Sequence, residues 1–345
     1  MAQTKKPDQK PQVVTLKAVA QHLGLTPGTV SAVLNEAPSA RSIPESTKSR
    51  IHAAAKELNY HPNFFARTLR KKRTSTIGII VEEIGDTYSS AIISGIEAYL
   101  RQKEYFFLTV VHRHDPQLLN RYSQMLLERG VEGFITVDTT IQDEPSVPTV
   151  AIAGHKKVRG VTNIVLDHHR AAFLALGHLK DLRHQRIAVL RGNPLSSDSK
   201  DRFDAICEVA KQLGIPIDPE LTVQIDIDDP TPLLGYPFAK KLLARNKPFT
   251  ALFAYNDISA IGAIRAFQEN GLLVPRDISV MGFDDIPGAA FHMPSLTTVR
   301  QPLNRMGQVA AQSLLERIDG LEDYPSEIAI EPELVVREST AVAKA

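Results

Sequence analysis

Apolar positions in the first 60 residues recur with the period of a helix. Leu16, Val19, Ala20 and Leu23 fall at i, i+3, i+4 and i+7, one apolar stripe, with Thr15 placed ahead of them as an N-cap. Gly24 supplies a residue free to take positive φ where the chain turns sharply. Thr26 then caps a second segment with Pro27 at its first helical position, where the missing N–H is not needed. Val30, Val33 and Leu34 turn inward, leaving Gly28, Thr29, Ser31 and Ala32 outward, and residues 44–58 repeat the pattern with Ile51, Ala54, Ala55 and Leu58 inward. The spacing predicts three short helices, the first two forming a helix-turn-helix whose second helix has a small, polar outer face fit for a DNA major groove. A helical hairpin packed on another element would show the same stripes.

Beyond Arg70-Lys71-Lys72-Arg73 the period changes to short, continuous apolar runs between amphipathic stretches. Strands are predicted at 77–81, 106–111, 133–137, 149–153, 163–166, 186–190, 250–254 and 278–283, with helices at 88–102, 116–129, 170–182, 199–213 and 257–270. Runs of this kind imply parallel sheets covered on both faces, and the length holds two doubly wound units. Ligands in such sheets sit at the carboxyl ends of strands, so two facing lobes place a site in the cleft between them.

Charge separates the two regions. Residues 1–73 carry 13 Lys/Arg against 4 Asp/Glu; of the chain's 40 and 39 this leaves 27 and 35 for the remainder. A basic head on an acidic body is the electrostatic footprint of phosphate contact by the head alone. Lys5, Lys6 and Lys10 precede the first helix and belong to a polar segment, 1–12, expected to be a disordered, solvated tail. A single cysteine, Cys207, excludes a disulfide framework within one chain and suits a reducing cytoplasm; its neighbours Ile206 and Val209 suggest a buried helical position. No apolar run reaches membrane-spanning length. No Gly-rich phosphate loop, zinc spacing or Gly-x-Ser-x-Gly elbow occurs, the histidines are scattered, and the adjacent Asp284 and Asp285 would diverge rather than flank one bond. These absences argue against an enzyme, a bound metal or a cofactor.

The segments VTLKAVAQHLGLTPGTVSAVLN, PNFFARTLR, TSTIGIIV, LERGVEGFI, YNDISAIGAIRAFQENGLLVPRDISVMGFDDI, LTTVRQP and ELVVREST, in this order from residue 13 to about 340, resemble the lactose-repressor/galactose-repressor (LacI/GalR) family of bacterial transcription regulators. The resemblance implies an all-α helix-turn-helix head (13–60), a hinge and linker (61–73) and an α/β body (74–345). The body would hold two doubly wound parallel-sheet lobes of periplasmic-binding-protein-like type, about 74–168 with 302–328 and about 169–301 with 329–340. It implies a cytoplasmic homodimer reading near-palindromic operator DNA, most often as a repressor, under a small-molecule effector. DNA contacts are expected at Thr15, Thr26, Pro27, Gly28, Thr29, Ser31, Ala32 and Asn35 of the head, and at Asn63, Ala66, Arg67 and Leu69 of the hinge. Leu69 stands where the family wedges a leucine between base pairs from the minor groove. The tetramerising heptad tail that the lactose repressor carries has no counterpart after REST, so a dimer is expected.

Effector contacts are expected at Arg202, Asn256, Asp284 and Gln301, with Tyr88 as an aromatic plate. An aromatic face with carboxylates, amides and an arginine suits a polyhydroxylated ligand, whose hydroxyls both donate and accept. There are structural readings too: Asp257 and Asp285 as helix N-caps, and Gln301 as a residue that fixes the crossover. The chain departs from the family at Asp86-Thr87-Tyr88, where Asn-Pro-Phe is usual, and at Asp167-His168, where Asp-Asn is common. Both changes touch the pocket mouth: a sugar leads, and a nucleobase or another small metabolite stays open.

Overall fold

The computed structural model describes residues 14–60, 73–154, 156–227 and 231–344. The expected tail at 1–12 and the hinge contacts Asn63, Ala66, Arg67 and Leu69 lie outside them. The chain divides into two compact units, one through Thr74 and one from Ser75. In the first, helices α1 (Leu16–Leu23), α2 (Pro27–Leu34) and α3 (Glu45–Glu57) surround a core of Val19, Val30, Val33 and Ile51. Thr15 Oγ1 accepts from the Ala18 N–H at 3.3 Å and Thr26 Oγ1 from the Thr29 N–H at 3.1 Å, and Gly24 has φ +67° at the C-cap of α1. One expectation fails here. Ala32 is buried, not outward, because the chain after α2 folds back through a 3₁₀ turn (Pro38–Ser42) that brings Ala40 into the same core cluster.

The second unit carries two six-stranded sheets. The first holds β1 (Thr76–Val81), β2 (Phe106–Val111), β3 (Phe134–Val137), β4 (Thr149–Ile152), β5 (Val161–Leu166) and β11 (Glu327–Ile330), in the order β2-β1-β3-β4-β5-β11, with every pairing parallel. The second holds β6 (Ile187–Arg191), β7 (Thr222–Gln224), β8 (Ala251–Phe253), β9 (Ser279–Asp284), β10 (Thr297–Arg300) and β12 (Glu333–Val335), in the order β7-β6-β8-β9-β10-β12. Here β12 joins antiparallel, a departure from the wholly parallel expectation. Helices α4 (Thr87–Gln102), α5 (Pro116–Glu128) and α11 (Leu303–Ile318) cover the first sheet. Helices α6 (His168–Asp181), α7 (Ser197–Leu213), α8 (Tyr236–Ala244) and α9 (Asp257–Glu269) cover the second, with the short α10 (Pro287–Phe291) after β9.

Isoleucine- and valine-rich strands such as Ile77, Ile79 and Val81 are fully buried, as strands sandwiched between helices must be. The chain passes between lobes three times, at Asp167, at Gln301–Pro302 and at Glu331–Pro332. Residues 329 and 330 belong to the first sheet, two positions beyond the boundary read from the sequence. Strand β7 and helix α8 were not predicted, and Cys207 is half-buried rather than buried. In each sheet the chain visits one side of its first strand and then the other, so order reverses beside β1 and beside β6. Those switch points open at the strand carboxyl ends, where the cleft residues are found.

Helix α11, returning from the second lobe, crosses α4 at a pair of glycines. A Cβ at Gly307 would lie 2.2 Å from the Ile92 carbonyl oxygen, and one at Gly95 would lie 2.0 Å from that of Asn304. Neither backbone can yield without separating the helices. Gly177, inside α6, meets nothing within 4 Å. Gly307→Ala is therefore expected to destabilise the protein by about 1–3 kcal/mol, the range of overpacked sites. Gly177→Ala is expected to stabilise it by about 0.4–1 kcal/mol through the unfolded chain. Urea unfolding midpoints moving in opposite directions would bear this out; equal shifts would contradict it.

Candidate functional site

On the head, Pro27 and Gly28 are exposed at the start of α2, and Thr29, Ser31 and Asn35 are half-buried along it. Several of their polar atoms already serve the helix. Thr26 Oγ1 and Thr29 Oγ1 lie 2.9 Å apart, and Asn35 Nδ2 donates to the Ser31 carbonyl at 2.8 Å and to its hydroxyl at 3.3 Å. Thr15 is exposed, its hydroxyl serving as the α1 cap. The basic side chains Lys17, Arg41, Arg50 and Lys56 are exposed on this small unit.

The body opens a cavity of about 460 Å³ between the ends of its two sheets. The loop after β1 contributes Asp86, which caps α4 by accepting from the Ser89 N–H at 2.8 Å, and Tyr88 follows in the first turn. Burial raises the pKa of both, so Tyr88 presents a neutral phenol. Opposite them, Asp284 ends β9 with φ +107°, and Asp285 follows with φ +60°. Two successive non-glycine residues at positive φ cost on the order of 1–3 kcal/mol each and persist only where neighbours fix them. Asp285 accepts from Arg300 Nε at 2.7 Å and from Arg337 Nη2 at 2.6 Å, while Asp284 Oδ1 accepts from Gln301 Nε2 at 2.6 Å. The two carboxylates diverge, and the turn presents Asp284 to the cavity. Burial pushes the Asp284 carboxyl up to about 7, with Arg202 and the Gln301 bond acting in the opposite direction.

Arg202, on α7, is 5% exposed. Its Nη2 bonds Asp198 one turn earlier, its Nη1 donates to the Tyr255 carbonyl at 2.8 Å, and its guanidinium lies 3.9 Å from the Phe283 ring centre and 4.7 Å from that of Tyr255. Burial is the largest influence and opposes its charge, but Asp198, Tyr255 and Asp284 together outweigh it and raise the guanidinium pKa. Asp198 is held from its other side by His168 Nε2 at 2.7 Å. Ser196 Oγ lies 3.1 Å from Asp138 Oδ2 in the first lobe and 3.1 Å from the Tyr255 hydroxyl in the second, so one hydroxyl links the two walls.

Of the expected effector residues, Tyr88, Arg202, Asn256 and Asp284 line this cavity together. Asn256 is also the N-cap of α9, in a capping box with Ser259, so its carbonyl oxygen is committed. Gln301 does not line the cavity. It is buried on the crossover behind Asp284 and acts through that carboxylate. Asp257 is fully buried, accepting from Thr298 Oγ1 at 2.6 Å and from the Ile286 N–H at 2.9 Å, which is a structural role. Sequence reasoning missed Asp198, Ser196, Tyr255 and Asp138. Asp198 was findable, since it lies four residues before Arg202 on one helix face.

The raised Asp284 pKa has a sign. A carboxyl moving from its ordinary ~3.9 in the unfolded chain to about 7 when folded takes up a proton on folding between those values. Stability therefore falls as pH rises through that window and is lowest above it. Asp284→Asn removes this dependence while its amide oxygen can still accept from Gln301. The melting temperature of the variant relative to the wild type should rise between pH 5 and pH 8; a constant difference would show that Asp284 titrates normally.

Comparison with known proteins places both regions. Residues 15–63 match the family described as bacterial regulatory proteins, lacI family, and residues 176–340 match the periplasmic binding protein-like domain. The chain is 31% identical over 340 residues to the HTH-type transcriptional repressor PurR of Haemophilus influenzae, covering 95% of this chain and 98% of that one. The PurR of Yersinia pestis is 30% identical over 338 residues, covering 95% and 97%. Among solved structures, the Lac repressor dimer bound to operator and the anti-inducer ONPF superposes with a TM-score of 0.85 at 27% identity, covering 96% of this chain and all of that one. The transcriptional regulator CelR–cellobiose complex gives 0.69 at 27% identity, covering 94% and 99%. With a helix-turn-helix head, a two-lobed α/β body and full-length relatives that are transcriptional repressors rather than enzymes, the chain belongs to the LacI family of bacterial regulatory proteins.

Proposed function

We propose that this regulator binds near-palindromic operator DNA as a homodimer in the cytoplasm, represses transcription, and is switched by a small polyhydroxylated effector held between the body's two lobes. The observation that carries the reading is the cleft itself. Tyr88 stands on one wall, and Asp284 and the stacked Arg202 on the other, all at the carboxyl ends of facing sheets. Such a cavity offers an aromatic face beside fixed donors and acceptors, the chemistry that orients a sugar. Cellobiose and ribose accompany two of the similar structures, which supports a sugar here. No helix among the described residues is long and apolar enough to cross a membrane.

Repression follows from two heads reading two half-sites related by a two-fold axis, with α2 in each major groove and Leu69 of each hinge at the minor groove. Thr29 and Ser31 hold phosphates, and Asn35 reaches toward the bases. Few side chains remain for direct readout once Ala32 is buried, so backbone contact and DNA shape carry more of the specificity. An effector shifts DNA affinity only by its difference in affinity for the open and closed lobes, commonly ~1–3 kcal/mol.

Gel-shift titration over genomic fragments tests the first half. Affinity should fall by several decades from low to moderate salt if ~6–10 phosphates are contacted, and deletion of residues 1–73 should abolish binding while leaving a folded body. A salt-insensitive complex would contradict the assignment. For the second half, Arg202→Ala and Asp284→Ala should each retain operator binding and lose the response to the cognate ligand by at least tenfold in concentration. A variant responding as the wild type does would reduce that residue to a structural role.

A further inference from the structure

Where the lobes meet, three side chains lining the cleft form a hydrogen-bond chain whose direction is fixed. Ser196, the N-cap residue of α7, donates its hydroxyl proton to Asp138 Oδ2 at 3.1 Å across the cleft. A hydroxyl carries one proton, so the 3.1 Å contact between Ser196 and the Tyr255 hydroxyl forms with the phenol as donor. Burial raises the Tyr255 pKa, so the phenol has that proton to give. The bonds run from Tyr255 to Ser196 to Asp138, and what remains on the Tyr255 and Ser196 oxygens is lone pairs.

Both oxygens are held in place. The Tyr255 ring lies against Gly192, where a Cβ would fall 2.1 Å from a ring carbon, and the Arg202 guanidinium sits 4.7 Å from the ring centre. The turn after β6 fixes Ser196, whose N–H donates to the Asn193 carbonyl at 3.1 Å. In the first lobe, Asp138 directly follows β3, and its N–H donates to the Ile152 carbonyl at 3.0 Å. Asn256, the residue after Tyr255, has the opposite polarity. A backbone N–H can only donate, so the Ser259 N–H at 2.9 Å holds the Asn256 Oδ1 against α9. Its Nδ2, which bonds no described residue, is left as a donor beside the same cavity. The second lobe therefore presents fixed acceptors at Tyr255 and Ser196 and a fixed donor at Asn256.

We propose that Tyr255 and Ser196, oriented by Asp138, are specificity-determining residues that require a free hydroxyl on the effector, one that donates into their lone pairs at the lobe junction. Asn256, with its donor beside them, takes an oxygen of the same ligand. A ligand presenting an ether, a carbonyl or a fluorine to Tyr255 and Ser196 would set lone pair against lone pair. In a cleft closed to water the unmet acceptors then count against that ligand. Asp138 belongs to the first lobe, so the chain keeps this direction only while the lobes are in contact. The inference rests on the effector reading of the cleft and adds the hydrogen-bond polarity that the ligand must match.

The test follows the melting temperature of the full-length protein, of Tyr255→Phe and of Asp138→Asn. The probes are glucose, galactose, ribose and cellobiose, the monodeoxyfluoro analogues of any that bind, and a small-molecule extract of the native host. Fluorine takes the place of a hydroxyl without donating. For the wild type, one analogue of a binding sugar should need about tenfold or more the concentration of its parent. That loss should shrink in Tyr255→Phe, which has no phenol oxygen to leave unmet. It should also shrink in Asp138→Asn, whose amide can donate to Ser196 and so turn the Ser196 and Tyr255 protons the other way. With the extract, Tyr255→Phe should need about tenfold more than the wild type for the same stabilisation, and where only the extract stabilises, this arm decides. No loss at any fluorinated position, a loss equal in the wild type and both variants, or an extract response unchanged in Tyr255→Phe would overturn the hydroxyl requirement and leave the effector reading in place. Stabilisation by neither sugar nor extract would overturn both.

Discussion

The body depends on one strained turn. Where β9 ends, Asp284 and Asp285 both adopt positive φ, a conformation that neither would keep in isolation. The cost is offset by the two guanidinium groups that converge on Asp285. Arg300 comes from the end of β10, and Arg337 from the segment after β12, where its Nη1 also donates to the Leu296 carbonyl at 2.8 Å and its backbone N–H to Thr297 Oγ1 at 2.9 Å. One carboxylate thus fastens three consecutive strands of the second sheet at the edge facing the first lobe. The neighbouring carboxylate is left to turn into the cleft, where burial rather than pairing governs its ionisation.

Each arginine has a different function, set by what surrounds it. Arg202 is sandwiched near Phe283 and Tyr255 and fixed by Asp198, so its orientation is decided before any ligand arrives. Arg300 is 43% exposed at its side chain and shared between Asp285 and Glu333, so solvent screens its pairing and it holds Asp285 less strongly than Arg337, whose side chain is 17% exposed. His168 sits at the first residue of α6, just past the first crossing between lobes, and reaches Asp198 on α7. The family-unusual histidine therefore helps hold the second wall of the cleft, a more specific role than the pocket-mouth position read from the sequence.

Legibility in the sequence followed the range of the interactions involved. The head helices and eight strands could be read from period alone, because continuous Ile/Val runs and capped amphipathic stretches carry their structure locally. Strand β7 has three residues and α8 only nine, too few for a period to show. Ala32 was misplaced because its burial comes from a 3₁₀ turn six residues downstream, not from the helix that contains it. In the cleft, Arg202 and Asp284 were legible through family resemblance, and Asp198 through helical spacing. Ser196, Tyr255 and Asp138 meet across 58 and 59 positions of sequence, and no local pattern announces such a meeting. Gln301 was assigned to the ligand because its contact with Asp284, 17 residues away, is invisible before folding.

That contact closes a mechanical ring. Asp284 is bound by Gln301; Gln301 is followed by Pro302, the N-cap residue of α11; α11 crosses α4 at Gly95 and Gly307 with no room for a methyl group. The N-cap of α4 is Asp86 and its first turn carries Tyr88, and both return to the same cavity from the opposite side. A rigid crossing is needed for this arrangement to act as a switch. If α4 and α11 could slide, charge or volume added in the cleft would be absorbed locally instead of rotating one lobe against the other. The glycines fix the crossing and the strained turn fixes the carboxylate, so any rotation of one lobe against the other must be taken up where the chain passes between them. The freedom of the body is thereby concentrated at the crossings between lobes, where a ligand touching both walls has the greatest leverage.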